Sequence, residues 1–187
     1  MVEDINNAVE VLKKGGVILY PTDTVWGLGC DATNAEAVKK IYLLKKREES
    51  KSMILFADSL KMIEQYVETV PDIATQLIEV NDKPMTIIFQ DAIFLPDNLI
   101  AEDKSIAFRI PNDIFCQSIL RKFRRPIVST SANISGGNAP FIFSEISKEI
   151  IAGADYVVKW RQDDRTKREA SQIIKLSAKG EIMIVRK

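Results

Sequence analysis

Ile5, Ala8, Val9 and Leu12 recur at helical spacing near the start of the chain, and Gly15-Gly16 ends the pattern. Val17-Ile18-Leu19-Tyr20 follows as an unbroken apolar run of strand length, halted at Pro21. Residues 21–32 carry Thr22, Asp23, Thr24, Gly27 and Gly29 and read as a polar loop with a permissive backbone. Thr33 and Glu36 have the spacing of a capping box, opening a helix whose buried stripe is Ala37, Val38, Ile41 and Tyr42. That helix runs into the charged stretch Lys45-Lys46-Arg47-Glu48-Glu49-Ser50-Lys51.

Further on, Met53-Ile54-Leu55-Phe56 predicts a strand, and Asp58 a cap for a helix reaching about Val67. A helix is expected from Asp72 to Val80, strands at 86–89 and 106–110, and a helix between Asp113 and Phe123. Ile127-Val128 leads from a strand into a Ser-, Gly- and Asn-rich loop at 129–140. A short helix near 144–152, a strand at 156–160 and a polar loop at 161–169 precede a hairpin of strands 171–176 and 182–186, turning at Lys179-Gly180. Strands interleaved with helices predict a layered α/β domain on the border of α+β, and the terminal hairpin makes its sheet mixed. Neither an internal repeat nor a linker interrupts the pattern, so residues 1–187 are expected to form one domain.

Composition narrows the chemistry. The chain has 187 residues, 26 basic and 26 acidic, so its bulk charge gives no attraction to nucleic acid or anionic membrane. It has no histidine, which removes Ser-His and Cys-His catalysis and the commonest metal ligand. Cys30 and Cys116 are too few for a zinc site or a disulfide framework. The start Met1-Val2-Glu3-Asp4 lacks the features of a signal peptide, and no apolar run reaches the length of a membrane span. A soluble, cytoplasmic protein is expected.

Three stretches could carry function, and each also has a plain structural reading. Tyr20 to Cys30 delivers hydroxyls and flexible backbone to the carboxyl end of a strand, where open α/β sheets bind ligands, but also reads as a capped turn. Lys45, Arg47 and Lys51 suit a polyphosphate, although Glu48 and Glu49 among them suit a solvated face equally well. Ser129-Thr130-Ser131-Ala132-Asn133-Ile134-Ser135-Gly136-Gly137 could cradle an anion or merely connect two elements. Arg109 ends an apolar strand and, if buried, needs a ligand carboxylate or a nearby Asp. Arg121-Lys122-Phe123-Arg124-Arg125 leaves room for a weak RNA contact, but a helix C-terminus favours cations anyway.

Taken in order, the motifs resemble the YrdC/Sua5 family in its short, single-domain form. The matches are Pro21 to Gly29, Ile41-Tyr42-Leu43-Leu44-Lys45-Lys46-Arg47, Pro84-Met85-Thr86, Arg109-Ile110-Pro111 and Ser131-Ala132-Asn133-Ile134-Ser135-Gly136. Trp26 stands where the family has Tyr, Glu48 and Ser52 where it has Pro, Lys83 where it has Gly, and Gln172 where it has Thr. The resemblance implies a three-layer fold with a twisted mixed sheet around a large cationic cavity. It also implies an L-threonylcarbamoyladenylate synthase, a nucleotidyltransferase using ATP, L-threonine and bicarbonate, with Mg2+ carried on the nucleotide. Its product would feed a downstream tRNA threonylcarbamoyl transferase.

Carried across residue by residue, the likeness puts Lys45, Arg47, Lys51, Ser105, Ser131, Asn133 and Arg186 on the nucleotide, with Lys45 and Arg47 the catalytic cations. It puts Thr22, Arg109, Ser129 and Ser171 on the threonine side, and it implies no resident metal. Two other readings fit the same residues: a paralogue acting on another carbamoylated substrate, and a non-catalytic RNA-binding module.

Overall fold

Helix α1 (Val2–Lys13) buries Ile5, Ala8, Val9 and Leu12, the stripe its spacing predicts. The computed structural model describes residues 1–48 and 53–186. A left-handed Gly15 turns the chain into β1 (Ile18–Tyr20), all of it buried. The next strand, β2 (Gly27–Asp31), occupies part of the expected loop at 21–32. Two glycines and an aspartate are poor strand formers, which hid it. They are there for want of room: a Cβ on Gly29 would lie 2.8 Å from Tyr20 Cε1 and 2.9 Å from the Val128 carbonyl oxygen.

Helix α2 (Ala35–Lys45) is capped by Asn34, whose side chain accepts from the Glu36 and Ala37 amides. Thr33 takes no part in that cap, because its amide and hydroxyl both donate to Asp31 Oδ1. The helix ends with a left-handed Lys46, the Lys46 amide on Leu43 O and the Arg47 amide on Tyr42 O. This paired closure turns the backbone sharply, and here it does so without the usual glycine.

β3 (Ile54–Phe56) leads to α3 (Leu60–Ile63), a single turn capped by Ser59, where Asp58 and a helix to about Val67 were expected. α4 (Ile73–Val80), β4 (Met85–Phe89) and β5 (Ile106–Arg109) follow. α5 (Ile114–Phe123) is capped by the Asp113 carboxylate on the Cys116 amide. β6 (Ile127–Ser131) extends three residues into the supposed loop at 129–140. After one 3-10 turn (Phe143–Glu145) come α6 (Lys148–Gly153), the two-residue β7 (Tyr156–Val157), β8 (Gln172–Leu176) and β9 (Ile182–Arg186).

The strands form one nine-stranded sheet in the order β7-β1-β2-β6-β3-β5-β4-β8-β9. It is mixed, as the pattern predicts: β1 with β7, β3 with β5 and β4 with β8 are parallel, and the other pairs antiparallel. Successive side chains point to opposite faces, so Ile18, Tyr20, Phe56 and Ile127 meet α1 and α5 on one side. Leu19, Leu28, Leu55 and Val128 meet α2 and α6 on the other. Those are the three layers. Among the described residues no helix is long and apolar enough to cross a membrane.

Candidate active site

A cavity of about 300 Å³ lies over the sheet face that carries Tyr20 and Phe56. Its floor is made by every second residue of adjacent strands: Gly27 of β2, Ser129 and Ser131 of β6, and Ile54 and Phe56 of β3. Ligands at the carboxyl ends of the strands were the expectation, yet this cavity sits over one face. The reason is local. Small residues at Gly27, Ser129 and Ser131 leave a hollow that no helix among the described residues lines, and a Cβ at Gly27 would lie 3.5 Å from Ser129 Oγ and 3.6 Å from Thr22 Cγ2.

Three guanidinium groups reach the hollow from different directions. Arg47 enters from just beyond α2, Arg109 from the end of β5 and Arg186 from the end of β9. Arg109 is almost fully buried, pairs with Asp23, donates to Thr24 Oγ1 at 3.1 Å and lies 5.3 Å over the Phe56 ring. Its Nε is buried with no hydrogen-bond partner among the described residues. A buried guanidinium needs a carboxylate nearby, and Asp23 is that group. Asp23 is itself held by the Asn112 amide at 3.1 Å.

The hydroxyls around Arg109 are already ordered. Thr22 Oγ1 donates to Val25 O at 2.7 Å and accepts from the Thr24 amide at 3.0 Å, so it shapes its own loop as well as lining the cavity. Tyr20 OH donates to Ser129 Oγ at 2.8 Å in a fully buried contact, and burial pushes the Tyr20 phenol well above its usual range. At the far wall, Ser171 Oγ lies 2.9 Å from Thr86 Oγ1, and Arg186 donates through Nε and NH2 to the Ser171 carbonyl. Arg161 was not foreseen. It bridges the Thr22 carbonyl (3.0 Å) and Asp113 (2.9 Å), tying the first loop to the start of α5.

Lys45 and Asn133 stand behind the cavity wall. The Lys45 side chain is buried, and its ammonium donates to the carbonyls of Ser131 and of Asn133 (2.7 Å). The Ser135 amide returns a bond to Lys45 O at 2.8 Å, so α2 and the segment after β6 form one unit. Burial, and then the charge of Arg47, push the Lys45 amine down to about 8. Asn133 Nδ2 closes its own loop on Gly137 O at 2.7 Å, while its Oδ1 is buried with no partner among the described residues.

Of the sequence-derived candidates, Thr22, Arg47, Arg109, Ser129, Ser131, Ser171 and Arg186 share the cavity lining. Ser105 does not. It precedes β5 at the end opposite Arg109, and its hydroxyl donates to Asp103 at 2.6 Å, a carboxylate that also holds Lys175. Lys51 and Ser52 lie outside the described residues. The basic cluster is dispersed: Lys122 bonds Asn6, and Arg125 pairs with Asp31 at 2.7 Å while lying over Phe123.

The family of Sua5, YciO and YrdC, described as "Telomere recombination", matches residues 10–187. The chain belongs to the Sua5/YciO/YrdC family. Among its relatives, the threonylcarbamoyl-AMP synthase of Psychromonas ingrahamii is 35% identical over 148 residues, 78% of either chain. E. coli YciO superposes with a TM-score of 0.82 at 25% identity, over 98% of this chain and 88% of its own. P. abyssi Sua5 complexed with L-threonine superposes at 0.81 with 24% identity, over 92% of this chain and 50% of its own, so the present chain spans about half of that protein. These superpositions give the sheet and its flanking helices a known precedent: the YrdC fold.

Proposed function

We propose that this chain is a cytoplasmic L-threonylcarbamoyladenylate synthase, using ATP, L-threonine and bicarbonate. The observation that carries the reading is the meeting of Arg47, Arg109 and Arg186 with serine hydroxyls over one glycine-floored hollow. The synthase name of the Psychromonas ingrahamii relative and the L-threonine held by P. abyssi Sua5 support the choice of reaction and amino acid.

The chemistry needs positioned charge rather than a covalent nucleophile. Threonine's amine adds to carbon dioxide from bicarbonate, forming an N–C bond and losing a proton to solvent. An oxygen of the resulting carbamate attacks the α-phosphorus of ATP, the bond to the β-phosphate bridging oxygen breaks, and pyrophosphate leaves. Arg109, held in place by its ion pair with Asp23, is assigned to the amino-acid carboxylate. Arg47 and Arg186 offset charge on the phosphates, with Ser131, and Lys45 and Asn133 behind it, shaping that end. Lys51 is assigned to the phosphates from the family pattern alone. Among the described residues no three Asp, Glu, Cys or His side chains gather to hold a metal; Mg2+ in this reading enters as part of the nucleotide substrate.

The product would pass to a separate tRNA threonylcarbamoyl transferase. Mass spectrometry of the product from ATP, bicarbonate and threonine tests the reading, with serine and no amino acid as parallel reactions. Threonylcarbamoyl-AMP and pyrophosphate are expected with threonine only. Adenylate with another amine would favour the paralogue reading, and none at all, with salt-sensitive RNA binding, the RNA module. Arg47→Ala should lower pyrophosphate release by about 10²–10³.

A further inference from the structure

Ser129 is a cavity hydroxyl whose one partner among the described residues, Tyr20, lies outside the cavity lining and fixes the direction of their hydrogen bond. Tyr20 is buried on the same face of the sheet, two strands away on β1, with its OH 2.8 Å from Ser129 Oγ. A phenol is a stronger acid than an alcohol, so in this buried pair the tyrosine donates and the serine accepts. Ser129 has a single proton, which is thereby turned away from Tyr20. Among the described residues Ser129 Oγ has no second hydrogen-bond partner, and it lines the cavity.

The pair is built in. Tyr20 fits only because residue 29 is glycine, and a Cβ at Gly27 would come into van der Waals contact with Ser129 Oγ at 3.5 Å. Tyr20 meets the Phe56 ring edge-on with centroids 6.5 Å apart, and Arg109 lies over that same ring. The Ser129 proton and the Arg109 charge therefore belong to the same end of the cavity. A neutral donor beside a guanidinium suits a carboxylate-type oxygen, which accepts more than one hydrogen bond.

We infer that Tyr20 is a positioning residue that locks Ser129 as a hydrogen-bond donor to the anionic amino-acid end of the ligand. This rests on the synthase reading for the identity of that ligand. With Phe at position 20 the ring and its packing remain, but the Ser129 hydroxyl is free to rotate and to accept. With Ala at position 129 the donor itself is gone, and the phenol has nothing left to orient.

The test is a double-mutant cycle of Tyr20→Phe and Ser129→Ala, read as pyrophosphate release with threonine and ATP titrated separately. Tyr20→Phe is expected to lower kcat/KM for threonine about fivefold to tenfold while leaving the KM for ATP unchanged. In the Ser129→Ala background the same change should add nothing. An equal loss in both backgrounds, or no loss in either, would overturn the inference. A second readout needs no turnover: the Tyr20 hydroxyl proton should give a slowly exchanging NMR resonance that moves or vanishes in Ser129→Ala. If that resonance ignores residue 129, the inference fails by itself. If wild-type protein releases no pyrophosphate with threonine while the resonance responds, it is the synthase reading that fails, and with it the ligand named here.

Discussion

Arg109 and Lys45 are both buried cations beside the same cavity, and they are neutralised in opposite ways. Arg109 has a full counter-charge in Asp23 and an aromatic face beneath it. Among the described residues Lys45 has only carbonyl dipoles, those of Ser131 and Asn133, and a like charge nearby in Arg47. The guanidinium end thus has its counter-charge built in. The amine end is soft. A neutral Lys45 still has two N–H groups, enough for both carbonyls, so it can lose its charge without releasing the segment it holds.

The largest effect that would sharpen this contrast comes from Asp23→Ala, which strands a buried guanidinium. Urea unfolding should show a loss of about 3–5 kcal/mol; a loss under about 1 kcal/mol would mean that Arg109 does not depend on its partner. At the soft end the sign is worked from linkage. Lys45 binds its proton less tightly folded, at about 8, than unfolded, near the ordinary 10.5. Between those values the unfolded chain holds more protons, so stability rises with pH through this window and the contribution is lost again as pH falls through 8. Unfolding curves across pH 7–11 should therefore show a wild-type gain of at most about 3 kcal/mol that Lys45→Met lacks. Parallel curves for the two proteins would remove the contrast.

A smaller change probes the support under the Arg109 end. Gly29→Ala drives a methyl against the Tyr20 ring and the Val128 carbonyl, and thermal unfolding should report about 1–3 kcal/mol lost. The least is expected of Ser105→Ala. Its hydroxyl serves Asp103 at the remote end of β5, so pyrophosphate release should change by less than about twofold.

These same residues show what the sequence could and could not reveal. The helices were legible because α1, α2 and α5 each bury a stripe that recurs at helical spacing. The strand Gly27–Asp31 was not, since its composition answers to the hollow and to Tyr20 instead of to strand propensity. Caps shifted by one residue, from Thr33 to Asn34 and from Asp58 to Ser59, because Thr33 is engaged by Asp31 and Asp58 by the Ser59 hydroxyl, leaving the Asn34 and Ser59 oxygens to take the helix amides. The need for a partner at Arg109 could be argued from its apolar strand; that Asp23 fills it is a matter of folding. Arg161, in a polar loop with no motif around it, gave no signal.

The hollow draws on Thr22 near one end of the sequence and on Arg186 near the other. Removal of β9 consequently leaves the other walls of the pocket in place but takes away the Arg186 guanidinium, which reaches it from the end of that strand. β9 joins the sheet through a local hairpin with β8, while β8 itself pairs with the distant β4. A polypeptide clipped before β9 would keep most of its core, since that strand is exposed, yet offer its ligands a pocket lacking one of its three guanidinium groups.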